Sequence, residues 1–240
     1  MNLSLKSQVA FIFARGGSKG IKNKNIQYVG GKPLIAHSIK QGLASKYINK
    51  IIVSTDSKKI ADISKSYGAD ILMRPKKYAT DTADETLAWK HAIRNTPEMN
   101  KNNSMFISIP ATSPLRKSID INNAIDRYVQ TTSDIIFGIT PSHRSPYLNM
   151  VTIDNKDLIK ITIEGTKAIR RQDTPKTFDI TTCVYVSNTK YILNSRRLMD
   201  GKVGYVMIPN ERSLDIDTKF DLKLANLILS EKKLKNKNLE

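Results

Sequence analysis

Short apolar runs alternate along this chain with longer stretches in which apolar positions recur at helical spacing. Residues 8–14 (QVAFIFA) form a compact, nearly continuous apolar run between polar and glycine-rich sequence, the signature of a strand buried on both faces of a parallel sheet. A helix is predicted over 33–45 with Pro33 in its first turn, then a strand over 50–54 and a helix over 57–67 closed by Gly68. Strands over 69–73, 105–109 and 134–139 alternate with helices over 82–95 and 118–130. Between 141 and 182 the rhythm breaks into Pro, Ser, Asn and charged residues, with two short alternating segments, 148–153 and 158–163, that can pair as a hairpin. Strands over 183–187 and 203–208 and an amphipathic helix over 217–230 follow, before a lysine-rich solvated tail over 232–238. The alternation defines an α/β fold on a mostly parallel sheet, read as one domain over 1–240 with an insertion at 141–182.

Composition narrows the chemistry. A chain of 240 residues that is 40% hydrophobic can bury a substantial core, which excludes overall disorder. Lys plus Arg number 39 against 22 for Asp plus Glu, a formal charge of +17, so polyanions are the expected guests: nucleic acid, anionic lipid or a phosphorylated small molecule. Much of the excess is lysine interspersed with Ile and Asn, as an AT-rich genome encodes. The single cysteine, Cys183, excludes an internal disulfide and a cysteine-built zinc site, and reads as a small core residue. Neither a signal-like leader nor an apolar run near the roughly 18 residues of a membrane span is present, so a cytoplasmic protein without a membrane partner is expected. Aromatic stacking platforms and nucleic-acid recognition motifs are lacking, which leaves net charge as the only support for a non-catalytic nucleic-acid or nucleotide binder.

Three segments carry chemistry. After the first strand comes Ala14-Arg15-Gly16-Gly17-Ser18-Lys19-Gly20, then Lys22, Lys24 and Asn25. Glycines there allow close backbone approach, and exposed amides with several cations form a phosphate cradle; a tight turn that is merely basic is the alternative. The order matches neither the Walker pattern nor the dinucleotide G-x-G-x-x-G. Near the other end, Asp215 and Asp217 flank Ile216 in an extended stretch, which turns both acids to one side and the isoleucine inward. Such a pair suits magnesium completed by phosphate and water oxygens, while a helix cap at Asp217 explains the second acid as well. Between them, Ile109-Pro110-Ala111-Thr112-Ser113-Pro114-Leu115-Arg116 follows a strand, where open α/β sheets bind ligands, although its prolines also suit an ordinary turn. Arg170-Arg171-Gln172-Asp173 offers guanidinium forks for carboxylate or phosphate. His37, His91 and His143 share no ligand spacing and read as structural or surface residues.

ARGGSKG with Lys24-Asn25, Gly31-Lys32-Pro33-Leu34, Val53-Ser54-Thr55-Asp56, Arg74-Pro75, Asp81-Thr82-Ala83, Thr112-Ser113-Pro114-Leu115-Arg116, Arg171-Gln172 and Asp215-Ile216-Asp217 stand in the order seen in acylneuraminate cytidylyltransferases, the CMP-sialic acid synthetases. The chain resembles that family over roughly residues 8 to 230. The resemblance implies a Rossmann-like nucleotidyltransferase sandwich with a small dimerisation insertion and a homodimer. It also implies transfer of CMP from CTP to the anomeric hydroxyl of an acidic nine-carbon sugar, with magnesium and release of pyrophosphate. By the same resemblance Ala14, Arg15, Gly16, Gly17, Ser18, Lys19, Asn25, Arg74, Thr82 and Ser113 serve the nucleotide. Asp215 and Asp217 hold the metal; Arg15, Lys24 and Asp217 act in the transfer; and Arg116, Arg171, Gln172 and Asp179 meet the sugar.

Departures shape the acceptor. The family's Q-P-T-S-P-L-R has Pro110 in place of its glutamine and Ala111 in place of its proline, so the role of that amide does not carry over. After R-Q-x-x-P the sialic acid enzymes end on an arginine followed by Asn-Gly, whereas here Phe178 precedes Asp179, Ile180, Thr181 and Thr182. An acid at that place repels carboxylates and accepts from hydroxyl, amide or ammonium groups. This resembles the legionaminate branch, whose members handle diamino sugars. Another acidic acceptor, an octulosonate or a phosphonate, remains the alternative.

Overall fold

A computed structural model of the protein describes residues 7–18, 20–80, 84–100, 104–164 and 170–237, with side chains described as far as residue 231. In chain order it contains β1 (Gln8–Phe13), β2 (Tyr28–Val29), β3 (Lys32–Pro33), α1 (Leu34–Leu43), β4 (Ile48–Thr55), α2 (Lys58–Ser66), β5 (Asp70–Met73), α3 (Glu85–Arg94) and β6 (Met105–Ser108). Then follow α4 (Ser118–Gln130), β7 (Ile135–Pro141), β8 (Val151–Ile153), β9 (Ile159–Ile161), β10 (Phe178–Asn188), α5 (Thr189–Asn194), β11 (Val203–Met207) and α6 (Lys219–Lys237).

Seven strands form one sheet in the order β11-β7-β10-β6-β1-β4-β5. Every pairing in it is parallel except those of β10, which runs antiparallel to both β6 and β7. Flanked by helices, this is the mostly parallel, Rossmann-like sheet that the alternation predicts. Strand β1 shows why the pattern works. Its alternate residues Ala10 and Ile12 join a core with Ile35 and Ile39 of α1, Ile60 of α2 and Ile121 and Ile125 of α4. Val9 and Phe11 join a second core with Trp89 and Ile93 of α3 and Ile192 of α5. Phe106 stacks between Phe11 and Trp89, at ring-centroid distances of 5.6 and 5.1 Å.

A third, smaller core does the work of assembly. Ile21 from the loop after β1, Val29 of β2, Leu34 of α1, Ile216 from the segment before α6 and Ala225 of α6 pack together, all nearly or fully buried. Gly30 begins the tight β2–β3 turn with φ +55°, and a Cβ there would meet the Leu229 side chain at 2.8 Å, so α6 lies directly against this turn. The Gly30 amide also donates to Asn226 Oδ1 at 2.9 Å.

Several boundaries differ from the sequence expectation. Pro33 is the N-cap of α1 rather than its first-turn residue. Strand β10 starts at Phe178, five residues before the predicted 183, because its exposed first residues are held by ladder bonds to β7 rather than by burial. The short α5 was not predicted at all; Asn188 caps it by accepting from the Tyr191 amide. Within 141–182 the expected hairpin exists as β8 and β9, paired from Val151↔Ile161 to Ile153↔Ile159.

Candidate active site

Strands β1, β5 and β6 run in the same direction, and the segments that leave them build a cleft of about 440 Å³. Its lining includes Phe13 at the end of β1, Arg15, Ser18, Gly20, Lys24 and Asn25 from the loop that follows, Arg74, Tyr78 and Thr80 after β5, Glu85 at the start of α3, and Thr112 and Asp217. Residues 15 and 217 therefore share one concavity, although about 200 positions separate them in sequence.

The first loop is braced internally. The Gly16 amide donates to Asp56 Oδ1 at 2.9 Å, so this one of the expected phosphate-facing amides is already engaged. Asn25, buried among its neighbours, donates to the Arg15 carbonyl at 3.1 Å and thereby fixes the turn while also lining the cleft. Gly17 faces open space: a Cβ there would have no neighbour within 4 Å. Gly20 is the opposite case, since its Cβ would sit 2.8 Å from the Asp217 carbonyl, and only a residue without a side chain lets the two segments touch.

The acidic segment is held from three sides. Ile216 is buried in the third core, and its amide donates to the Thr112 carbonyl at 2.9 Å. Just upstream, Arg212 grips the buried Asp120 at the start of α4 through a two-pronged contact, Nε to Oδ2 at 2.9 Å and Nη2 to Oδ1 at 2.9 Å. Helix α6 begins at Lys219, two residues later than predicted, and it is capped by Thr218 and Asp221: Asp221 Oδ2 accepts from the Thr218 amide at 2.7 Å, and Thr218 Oγ1 from the Asp221 amide at 3.2 Å. A capping role for the Asp217 carboxylate is thereby removed. It turns to Lys24 instead, whose Nζ donates to Asp217 Oδ1 at 2.8 Å.

Asp215 is half-buried beside the Thr112 and Thr182 hydroxyls, and its buried Oδ1 has no hydrogen-bond partner. Burial pushes its carboxyl above the usual range, with the Thr112 hydroxyl opposing and the Asp217 carboxylate adding to the rise. An unpaired buried carboxylate oxygen close to a second carboxylate fits a divalent cation. Among the described residues no three His, Cys, Asp or Glu side chains gather into a metal cage, so a cation here would draw its other oxygens from phosphate and water.

Arg74 lines the cleft with 8% of its surface exposed, its backbone fixed by donation to the Thr55 carbonyl at 2.7 Å and its Nε without a partner. Burial lowers its pKa, and the nearby Asp56 and Glu85 carboxylates counter this. Glu85 stays open to water at the mouth but is hemmed in by the walls, which raises its carboxyl against the pull of Trp89 and Arg74.

Other expected site residues lie elsewhere. Arg116 is 1% exposed and donates to the Pro110 and Cys183 carbonyls, both at 3.0 Å, and to Ser38 Oγ at 2.7 Å, so it braces the turn after β6 from inside. Ser113 is also turned inward, 2.9 Å from Thr182 Oγ1, and Thr112 takes the place in the cleft wall. Ala14 is buried and its amide donates to the Ser54 carbonyl. Lys19 and Thr82 lie outside the described residues. Arg171 and Gln172 line a different hollow of about 620 Å³, with Ser142, Ser145, Lys176 and Phe178, and it shares no lining residue with the first cleft. Asp179 is exposed on β10 opposite Thr140 and lines neither. Cys183 is buried, its thiol raised by burial. Sequence reasoning missed Phe13, Tyr78, Thr80 and Glu85 as cleft residues, whereas Gly20 belongs to the loop it singled out; a lone acid at a helix start carries no signal of its own.

A basic glycine loop that shares one cleft with Asp217 at the ends of parallel strands is the arrangement of a nucleotide-handling α/β enzyme. Residues 9–200 match the family model described as cytidylyltransferase. Post-translational flagellin modification protein B of Campylobacter coli is 31% identical over 229 residues, covering 95% of this chain and 97% of that protein. CMP-N,N'-diacetyllegionaminic acid synthase of Campylobacter jejuni is 32% identical over the same span and coverage. A solved structure of CMP:2-keto-3-deoxy-manno-octonic acid synthetase complexed with CTP shares the fold at TM-score 0.72 and 12% identity, covering 94% of this chain and 100% of that one. The chain belongs to the cytidylyltransferase family, in the acylneuraminate cytidylyltransferase superfamily, and is a CTP-dependent nucleotidyltransferase. No helix among the described residues is long and apolar enough to cross a membrane.

Proposed function

We propose that the protein transfers CMP from CTP to the anomeric hydroxyl of a sialic-acid-like nonulosonate of the legionaminate type, releasing pyrophosphate. The observation that carries this reading is the meeting of Arg15, Ser18 and Lys24 with Asp217 in one cleft. Both reactants are anionic, so the site must neutralise charge before they can approach in line. Arg15 and Lys24 supply fixed positive charge, and Gly17 and Ser18 leave room for a triphosphate against the loop. Asp215 and Asp217 are the residues that would hold magnesium, which when bound lowers the repulsion at the phosphates and stabilises the leaving pyrophosphate. Lys24 orients Asp217, and Asp217, exposed at the cleft, is positioned to orient the acceptor hydroxyl or take its proton.

The acceptor assignment draws on Asp179 in place of an arginine and on the named synthase relatives. In this reading the chain acts as one domain in a homodimer, and 141–182 is its dimerisation arm. That arm presents exposed Val151, Ile153, Leu158 and Ile159, and its Arg171 and Gln172 serve a sugar site completed between subunits. A grid of nucleotides against nonulosonates, octulosonates and phosphonates, with pyrophosphate detection in magnesium, tests it. CTP-dependent release with a diacetylated nonulosonate is the expected result; turnover only with another acceptor class overturns the assignment.

A further inference from the structure

Asp120 stands where two segments of the cleft are tied together. Its carboxylate is buried, and Oδ2 accepts from two donors at 2.9 Å. One is the Lys117 amide, which follows the turn that carries Thr112; the other is Arg212 Nε, at the start of the segment that carries Asp215 and Asp217. Arg212 Nη2 reaches the second oxygen at 2.9 Å, so the guanidinium fork fixes direction as well as distance. The Arg212 backbone is held too, since Cys183 Sγ donates to its carbonyl at 3.4 Å. The next fixed point is the Ile216 amide on the Thr112 carbonyl, and only residues 213–215 lie between, which leaves the acidic segment little slack.

A buried ion pair is a poor device for stability, because taking both charges out of water costs about as much as their attraction returns. A two-pronged one does fix geometry. Arg212 is absent from the cleft lining, so anything it does there passes through the segment it holds. We propose that Arg212 is a positioning residue: through Asp120 it keeps the acidic segment in register with the Thr112 turn, and thereby sets where Asp217 meets Lys24 and how the two aspartates face the nucleotide. The inference rests on the reading of Asp215 and Asp217 as magnesium holders and adds the side chain that aims them. Arg116 lies near enough to feel the Asp120 charge, so removing Arg212 does not leave that carboxylate alone in the core.

Calorimetric titration of CTP into the full-length protein, in magnesium and in EDTA and with no acceptor present, gives the factor by which magnesium tightens the nucleotide. Wild type, Arg212→Lys, Arg212→Met, Asp217→Asn and the double variant Arg212→Met/Asp217→Asn are compared. Groups that orient a metal's ligands are worth about 10- to 100-fold, so Arg212→Met should remove about 10-fold or more of that factor while CTP in EDTA binds within about threefold of wild type. Binding in EDTA reads the basic loop and reports that the fold is kept. Arg212→Lys, which offers one carboxylate oxygen a partner, should retain part of the factor. In the Asp217→Asn background Arg212→Met should cost much less, because a group it aims is gone. Where Arg212→Met is too unstable to titrate, Arg212→Lys with and without Asp217→Asn makes the same comparison. An equal cost in both backgrounds shows a purely structural role and overturns the proposal, as does a magnesium factor in Arg212→Met equal to that of wild type; either result leaves the metal reading standing. Wild type that binds CTP yet gains nothing from magnesium contradicts the metal reading itself and the inference with it.

Discussion

Lys24 Nζ and Asp217 Oδ1 lie 2.8 Å apart across 193 positions of sequence, and this contact joins the basic loop to the acidic segment. Asp217 is largely exposed, so the pair adds at most about 1 kcal/mol to stability, and its value is positional. Lys24→Met and Asp217→Asn should each lower kcat/KM by about 100-fold or more, with melting temperatures changed by only a few degrees. Because the two act as a unit, the double variant should lose much less than the product of the single losses. Steady-state kinetics on the four proteins give the coupling, and strictly multiplicative losses would deny it.

Asp215 separates stability from function. Its carboxylate is held partly out of water with one oxygen unpaired, so a neutral amide should be no worse, or better, for the folded protein in the absence of metal. Asp215→Asn should melt at or above the wild-type temperature at pH 7 while losing activity by about 100-fold or more. Thermal shift measurements with CTP should show magnesium stabilising the wild type and leaving the variant unmoved.

Arg116 should behave in the reverse way. Removing it strands the carbonyls of Pro110 and Cys183 and empties a buried volume, so Arg116→Ala should cost about 3 kcal/mol in chemical denaturation. Measured below the variant's transition, KM for the acceptor should match wild type. A raised KM with unchanged stability would return Arg116 to the sugar site.

His91 gives a pH signature. Its ring packs on Tyr78 at 5.5 Å in the cleft wall, and burial first, then Arg74 and Lys77, lower its pKa below 6.5. The unfolded chain therefore binds the proton more readily, and stability falls as pH drops from 6.5 through the folded-state value. Urea midpoints between pH 7 and pH 5 should fall more steeply for wild type than for His91→Gln. Parallel curves would show that the ring does not contribute.

Much of the fold was legible because burial leaves a periodic trace. Helix α4 occupies Ser118–Gln130, as its spacing predicts, and β1 alternates between two cores as its unbroken apolar run requires. The exposed half of β10 was not legible because ladder bonds to β7, not burial, hold it, and α5 was not because six residues with one fully buried side chain, Ile192, are too few to show a helical period. In the cleft, the basic loop and the acidic pair were legible as types of chemistry, and Ile216 between the acids was the one sign that this segment returns to the core. A motif names residues without saying which way they point, and Arg116 and Ser113 both point inward. Glu85 was missed because its place in the cleft, near Arg74, is supplied only by the tertiary fold.

Crystals grown with CTP and manganese in place of magnesium would show by anomalous scattering where the cation sits. A peak bound by Asp215 and Asp217 and by oxygens of a triphosphate that lies along Arg15, Ser18 and Lys24 is the predicted result. A triphosphate on the loop with the metal away from both aspartates, or a nucleotide bound outside this cleft, would contradict it.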